Sequence, residues 1–181
     1  FVSLQCYGPT CIIKSFYDPN TPTGQLPERS SYDEVVQFID EKLEEALPNL
    51  AESMTGVDYG RATKAAVWAV RSRMYLYRAS KLFNGNMMYA AFKSKLDNRN
   101  LISQEYDSKK WEKSVEVSKK AIEFTESLGY HLYGDVEAGI PDKNNSLKPG
   151  LSNPAQRRVR YCFMDDQNTM EILLAETRSE G

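Results

Sequence analysis

The chain has 181 residues, the size of a single domain or of part of a larger one. Apolar residues make up 41% of it, which argues against wholesale disorder, and 23 Lys and Arg nearly balance 25 Asp and Glu. The net charge of −2 lacks the basic excess of a general nucleic-acid binder. One His and three Cys exclude His-rich metal sites and disulfide-dense scaffolds. We therefore expect a globular protein that binds no nucleic acid, metal or cofactor.

Residues 1–29 are predicted to form an irregular lead-in, because six Gly and Pro residues interrupt them. Within this stretch, residues 1–4 resemble the end of a helix or strand. Cys6 and Cys11 are either isolated apolar side chains or a disulfide of an oxidising compartment.

Since the chain starts at Phe1 instead of Met and stops at Gly181, shortly after an apolar run, we expect both ends to be cut from a longer polypeptide.

The first predicted helix spans about residues 32–47 and begins with a capping box, in which Ser31 stands three residues before Glu34. Apolar residues then recur every three or four positions and predict one buried face. These residues are Tyr32, Val35, Val36, Ile39, Leu43, Ala46 and Leu47. The opposite, charged face is predicted to be exposed. We therefore expect Asp40→Ala, on that face, to be nearly neutral.

The second predicted helix spans about residues 61–83 and would be roughly 33 Å long at ~1.5 Å per residue. Small side chains form one stripe and large ones a second, so we expect the helix to pack on two sides. Ala66→Asp, in the small stripe, is expected to unfold the domain. Asn84 and Gly85 are predicted to stop the helix, and a long loop follows over residues 84–106, with a short helix possible at 87–96.

The third predicted helix spans about residues 109–128, with Ser108 as its cap and Gly129 in a left-handed conformation after it. The pattern predicts a buried face made by Trp111, Val115, Ala121, Ile122, Thr125 and Leu128. When Tyr32 is aligned with Trp111, Val36 meets Val115 and Leu43 meets Ile122. The two helices therefore resemble repeats of a tetratricopeptide type.

These elements predict an all-α fold of tetratricopeptide-like helix pairs with long irregular loops; a generic helical bundle is the alternative. The whole chain is predicted to be one helical-repeat domain fragment. Residues 31–83 would be the first helix pair, 107–133 a further repeat helix, and 134–181 a loop and a truncated end. The loop at 134–156 is rich in Gly, Pro, Asn and Lys, and long loops of this kind often carry recognition.

Several runs of the sequence resemble the SusD/RagB-like outer-membrane nutrient-binding lipoproteins. The most specific run begins at Tyr59 and leads into the second helix, and weaker ones lie at both ends of the chain. The matching runs are Tyr7-Gly8-Pro9, Arg29-Ser30-Ser31-Tyr32-Asp33-Glu34-Val35, Leu43-Glu44-Glu45-Ala46-Leu47-Pro48, Tyr59-Gly60-Arg61-Ala62-Thr63-Lys64-Ala65-Ala66, Leu82-Phe83-Asn84, Gly129-Tyr130, Leu132-Tyr133 and Glu171-Ile172-Leu173-Leu174. After Tyr7-Gly8-Pro9 the sequence departs from the family, since Thr10 and Cys11 replace a Val and a Pro.

The resemblance implies a non-enzymatic role on the cell surface of Bacteroidetes-type bacteria. Such proteins are anchored to the outer membrane by lipid, here outside this segment, and lie over a SusC-like TonB-dependent β-barrel transporter. They capture a glycan or, in some members, a peptide for import. This segment would belong to the N-terminal helical-repeat half and serve mainly as scaffold and transporter docking surface. Two rivals remain: a generic tetratricopeptide-like protein-interaction adaptor, and a carbohydrate-active enzyme on an all-α scaffold.

Aromatic side chains in the long loop are the candidate ligand contacts, since flat rings suit sugar faces: Tyr89, Phe92 and Tyr106. The aromatic residues at helical spacing are instead assigned to the core: Trp68, Tyr75, Tyr77 and Trp111. Four other features have a functional and a structural interpretation, and we favour the structural one for each. They are the carboxylates Glu41, Glu44 and Glu45, the turn Asp165-Asp166-Gln167-Asn168, the basic run Arg157-Arg158-Val159-Arg160, and His131.

Overall fold

The computed structural model describes residues 1–133, 159, 162 and 169–174. The chain divides into two compact units: the first comprises Phe1–Leu50 and Val67–Ala121, and the second Ala51–Ala66 and Ile122–Gly181. Across the described residues the regular structure is helical, without a β-strand, which confirms the all-α class. Four α-helices are present there: α1 (Val2–Tyr7), α2 (Tyr32–Ala46), α3 (Lys64–Ala79) and α4 (Lys109–Ser127). In the described ranges, no helix is both long and apolar enough to cross a membrane.

The lead-in contains a short helix, α1, where the abundance of Gly and Pro predicted irregular chain. Those breakers begin only at Gly8, which has a φ of 66° and ends α1. Leu4 is the one buried residue of α1 and joins the core of the first unit. The sequence-based expectation of a helix or strand end at residues 1–4 was therefore too short by three residues.

Helix α2 begins with the capping box that the sequence predicts. The Ser31 Oγ accepts a hydrogen bond from the Glu34 N–H at 3.3 Å, and the Glu34 carboxylate accepts one from the Ser31 N–H at 2.6 Å. The predicted apolar face is confirmed over the first turns, where Tyr32, Val35 and Val36 are buried. Tyr32 stacks on the Phe83 ring with 4.0 Å between the ring centroids.

Helix α3 is shorter at both ends than its apolar pattern predicts. It begins at Lys64 because the Thr63 Oγ1 accepts a hydrogen bond from the Ala66 N–H at 3.1 Å and so caps the first turn. Gly60 has a φ of 92° in the turn before it, a conformation that excludes a helical start at Arg61. At the other end, the Ser80 Oγ donates to the Tyr77 carbonyl at 2.7 Å, and α3 ends at Ala79.

Helix α4 has nearly the predicted length but buries only part of the predicted face. Trp111, Val115 and Ile122 are exposed by 40%, 51% and 56%. The side chains that α4 buries are smaller or polar: Lys110, Ser114, Val117, Ala121 and Thr125. The prediction is correct for Ala121 and Thr125 and wrong for Trp111, Val115 and Ile122, because small residues allow neighbouring helices to approach closely and the large apolar residues do not. The sequence predicts Ser108 as the cap of α4, but the side chain that accepts a hydrogen bond in the first turn is Asp107. Its carboxylate accepts from the Lys109 N–H at 2.9 Å.

Helices α2, α3 and α4 contact one another within the first unit through polar pairs. Asp33 of α2 pairs with Arg78 of α3, and Asp40 pairs with Arg71, both at 2.6 Å. The order of the partners is reversed along the two helices, so α2 and α3 are antiparallel. Contacts of α4 with Asp33 and, through Ser118, with Ser72 of α3 at 2.9 Å place it antiparallel to α3 as well.

The loop over residues 84–106 is anchored at both ends by buried groups. The Asn84 side chain is buried and exchanges two hydrogen bonds with the Asp107 backbone, at 2.8 and 2.9 Å. Gly85 has a φ of 76°, and a Cβ there would lie 2.7 Å from the Tyr106 N. Leu101 and Ile102 insert into the core. The possible helix at 87–96 is reduced to a single 3-10 turn, Met87–Tyr89.

Candidate functional site

Two acidic residues of α2 are structural acceptors and not solvated surface groups. The Asp40 carboxylate accepts from the Arg71 Nε at 2.6 Å and from the Tyr75 hydroxyl at 2.8 Å. The Arg71 side chain is only 6% exposed. Burial alone would lower the pKa of Arg71, but the hydrogen bonds and charges of Asp40 and Glu44 outweigh burial and raise it. The expectation that Asp40 lies on an exposed face was wrong, because α3 covers that side of α2.

Asp33 is the second such acceptor, and it binds two cations. Its carboxylate accepts from the Arg78 Nε at 2.6 Å and from the buried Lys110 Nζ at 2.8 Å. Burial alone would raise the pKa of Asp33, but the hydrogen bonds and charges of Lys110 and Arg78 hold it below its ordinary value. The sequence gives no sign that the charged residues around Asp33 and Asp40 pair across three helices. These residues are Asp33, Asp40, Arg71, Arg78 and Lys110.

The three glutamates considered as a carboxylate pair have exposed side chains, and each has a hydrogen-bond partner: Glu41 and Glu45 within α2, and Glu44 on α3. Glu41 accepts from Gln37 at 2.9 Å, Glu45 pairs with Lys42 at 2.7 Å, and Glu44 accepts from Arg71 at 2.6 Å. Glycoside hydrolysis needs two acids that face each other across a cleft. These side chains leave a single helix, so the structure does not bring them into that arrangement.

An open cleft of about 230 Å³ lies in the first unit, beside the hairpin-like part of the long loop. The hairpin is formed by hydrogen bonds from the Leu101 N–H to the Phe92 carbonyl at 3.2 Å and from the Ser94 N–H to the Arg99 carbonyl at 2.9 Å. The cleft is lined by Glu28, Arg29, Phe92, Lys93, Ser94, Lys95 and Leu101. It combines an apolar floor with polar and cationic walls.

Arg29 is held in place at this cleft by three separate contacts. Its backbone forms an antiparallel bridge with Cys11, and its Nη1 donates to the Pro9 carbonyl at 2.6 Å. Its guanidinium carbon lies 5.7 Å from the centre of the Phe92 ring, within cation–π range. One donor of the five on a guanidinium is thus used by the protein, and the group is oriented before any ligand arrives.

Ser94 and Glu28 form the polar side of the cleft. Ser94 is buried, and its Oγ donates to the Glu28 carboxylate at 3.0 Å while accepting from the Leu96 N–H at 3.3 Å. Among the described residues, Lys93 and Lys95 have no ion-pair partner. The lining therefore carries three positive charges and one negative charge, although the chain as a whole is slightly negative.

The three aromatic candidates have different surroundings. Phe92 lines the cleft, and its ring also packs against the core of the first unit. Tyr89 is half-buried and packs against the same core. Tyr106 has an exposed side chain, and its backbone lies close to Gly85. The sequence thus gave Phe92 as a candidate ligand contact but gave no signal that Arg29, three residues before α2, lies at a cleft.

Other candidates from the sequence are described in part. His131 lies in the second unit, where its ring Nδ1 is 2.8 Å from the Gly129 carbonyl oxygen. The backbone N–H of His131 donates to the Met170 carbonyl. Cys6 and Cys11 are free and exposed thiols. The turn at 165–168 and the basic run at 157–160 lie outside the described residues, apart from the exposed Val159. The part of the chain that the structure describes contains no group of three His, Cys, Asp or Glu that could hold a metal ion.

In the second unit, three separate runs that carry the family resemblance meet around a cavity of about 30 Å³. Tyr59, Gly60, Arg61 and Thr63 come from the most specific run, Tyr130 from the run after α4, and Ile172, Leu173 and Leu174 from the last run. Burial and the neighbouring Tyr59 raise the pKa of Tyr130. Arg61 pairs with Asp58 at 3.0 Å, and Lys64 pairs with Glu52 at 3.7 Å.

The helices and the cleft define an all-α protein that carries a small cationic cleft on a helical scaffold. Among solved structures, the chain is similar to BT4246, a Bacteroides protein, with a TM-score of 0.76 and 25% identity over 98% of this chain. The selenomethionine form of BT4246 gives a TM-score of 0.72 and 24% identity, also over 98%. The chain spans about a third, 32%, of the length of either structure. No protein-family model and no curated protein matches the chain.

Proposed function

We propose that this chain is part of a SusD/RagB-like surface lipoprotein that captures a glycan or peptide nutrient. In this proposal it is anchored to the outer membrane by lipid outside the present segment. It delivers the nutrient to a TonB-dependent β-barrel transporter, and the present segment supplies mainly scaffold and docking surface. No catalytic step belongs to this function.

The observation that carries the proposal is the convergence of three resembling runs at one place in the second unit. Residues near positions 60, 130 and 172 are far apart along the chain, yet they line the same small cavity. The most specific run also has a structural reason for its residue types, since Gly60 provides the positive φ and Thr63 the helix cap. Unrelated sequences have no reason to carry such residues in the right order and also bring them to the same cavity.

Two further findings support the proposal. The alternating directions of α2, α3 and α4 are those of successive helices in a tetratricopeptide-like array, which we propose as the finer fold. The similarity to a Bacteroides protein of about three times the length agrees with the bacterial group to which the resemblance points.

The test is extraction of the native source membranes with mild detergent, followed by purification through an antibody raised against this chain. Intact mass spectrometry and proteomics then identify every species that co-purifies. We expect a lipidated polypeptide containing this sequence, together with a large outer-membrane β-barrel protein. A mock purification with pre-immune antibody controls for abundant porins.

A free, unmodified protein without a barrel partner would overturn the proposal. That result would favour the alternative, a protein-interaction adaptor. The exposed apolar side chains of Trp111 and Val115 on α4 are the features that favour an adaptor, since such a row suits a partner helix.

A further inference from the structure

We propose that the cleft formed by Arg29, Lys93 and Lys95 binds the carboxylate of a hexuronic acid unit in an acidic glycan. The inference rests on the proposed function and deepens it, because it names the class of nutrient. Neither the family resemblance nor the comparison with BT4246 assigns a ligand to these residues.

The size of the cleft fits one sugar ring. Pockets for drug-sized ligands measure roughly 300–1,000 Å³, so a cleft of about 230 Å³ accommodates a single monosaccharide unit. Because the cleft is open to solvent on one side, the neighbouring units of a glycan chain can continue out of it. The half-buried Phe92 also lines the cleft and provides an apolar side chain for the C–H face of the ring.

The charge distribution selects an acid. Arg29 is oriented by the Pro9 carbonyl and by Phe92, and it keeps donors free for a bidentate contact with a carboxylate. Lys93 and Lys95 add two cations from the hairpin, and neither forms an ion pair among the described residues. Because Glu28 supplies the one negative charge of the lining, the three cations leave a positive excess that an acid offsets and a neutral sugar does not.

The remaining polar groups favour a sugar acid over other anions. The Glu28 carboxylate has further acceptor positions beside its hydrogen bond from Ser94, and acceptors of this kind bind the hydroxyl donors of a sugar. The acidic side chain of a peptide carries no hydroxyl group that could donate to Glu28. A uronic acid presents an acid and several hydroxyl groups on one rigid ring, so it matches both sides of the cleft.

The experiment is calorimetric titration of the full chain with galacturonic and glucuronic acid and with their short oligomers. Galactose and glucose oligomers of the same length serve as neutral ligands, and a Glu-rich peptide serves as the peptide ligand. We expect the acidic oligomers to bind and the neutral oligomers to bind at least about tenfold more weakly, with an affinity for the acids that falls as salt rises.

Arg29→Gln is expected to weaken uronate binding by about tenfold or more. Because Arg29 also contacts the Pro9 carbonyl, its loss can disturb the local fold. The double variant Lys93→Gln and Lys95→Gln removes two charges that form no ion pair with any other described residue. It should reduce binding without changing the melting temperature. The matched control is Lys81→Gln with Lys119→Gln, two exposed lysines elsewhere in the first unit, and it should bind uronate normally.

Equal affinity for acidic and neutral oligomers, or an equal loss in the Lys81 and Lys119 control, would overturn the proposal. Tighter binding of the Glu-rich peptide would overturn it as well and assign the cleft to peptides. The two proposals fail separately. Uronate binding by a protein that has neither lipid nor barrel partner leaves the cleft in place and removes the nutrient-capture role. A lipidated, barrel-bound protein that does not bind uronate leaves the nutrient-capture role in place and removes the proposed function of the cleft.

Discussion

Helices α2 and α4 look alike in sequence and differ in what they bury. Tyr32 begins α2 and Trp111 occupies the matching position of α4, yet Tyr32 is 1% exposed and Trp111 is far more exposed. The following pair, Val36 and Val115, differs in the same way. Both apolar patterns predict a helix correctly. In α2 the pattern also identifies the buried face over the first turns, whereas in α4 it is correct only for Ala121 and Thr125.

The difference lies in what surrounds each helix. The large apolar face of α2 meets Phe83 and the core residues of α3 and the long loop, so burial removes much apolar surface from water. α4 instead turns Ser114, Val117 and Ala121 inward and places Lys110 against Asp33. Apolar periodicity therefore predicts the existence of a helix better than it predicts the neighbour that covers it.

The largest expected effect separates Tyr32 from Trp111. Tyr32→Ala removes a fully buried ring and should cost about 3 to 5 kcal/mol of unfolding free energy. Trp111→Ala removes a ring in partial contact with solvent, and its cost should be about 1 kcal/mol. Chemical denaturation of both variants measures the two costs. Similar losses would show that α4 buries its apolar row after all.

The next largest effect divides the acidic residues of α2. Asp40→Ala leaves the buried Arg71 with Glu44 alone and removes the acceptor of the Tyr75 hydroxyl, so we expect a loss of about 2 to 3 kcal/mol. Glu41→Ala, one position further along the chain, should stay within about 0.5 kcal/mol of the parent protein. Thermal melts of the two variants measure these losses. An Asp40→Ala variant as stable as the parent protein would show that Asp40 lies on an exposed face.

A smaller effect concerns pH, through the carboxylate that joins α2 to α4. The pKa of Asp33 is lowered in the folded state, so ionised Asp33 adds stability above its ordinary value of 3.8. That contribution is lost as the pH falls below 3.8 and through the lower folded value. Asp33→Asn should therefore flatten the dependence of stability on pH in this acid range. An unchanged pH profile would contradict the pairing with Arg78 and Lys110.

The smallest effect concerns the Tyr32 hydroxyl. This group is buried and has no hydrogen-bond partner within the described ranges, and its pKa is raised mainly by burial. Tyr32→Phe keeps the stacked ring and removes an unsatisfied polar atom, so stability should stay the same or rise by up to about 1 kcal/mol. A clear loss of stability in denaturant titrations would point to a partner for this hydroxyl.

The candidate site divides in the same way as the helices. Sequence reasoning named Phe92, because an aromatic ring in a long loop is a recognisable signal. Arg29, Lys93 and Lys95 gave no such signal, since scattered cations are common on surfaces. They become a site only because the hairpin turns residues 93–95 back toward Arg29, a contact across more than 60 positions of chain.

Interactions between near neighbours in the chain account for the all-α class, the three long helices and the capping of α2, so these features can be predicted from the sequence. Tertiary packing sets the buried face of α4, the roles of Asp33 and Asp40, and the make-up of the cleft. Each of these depends on residues that are distant in sequence and close in space. Burial and ion pairing are properties of such neighbours, and local periodicity carries no information about them.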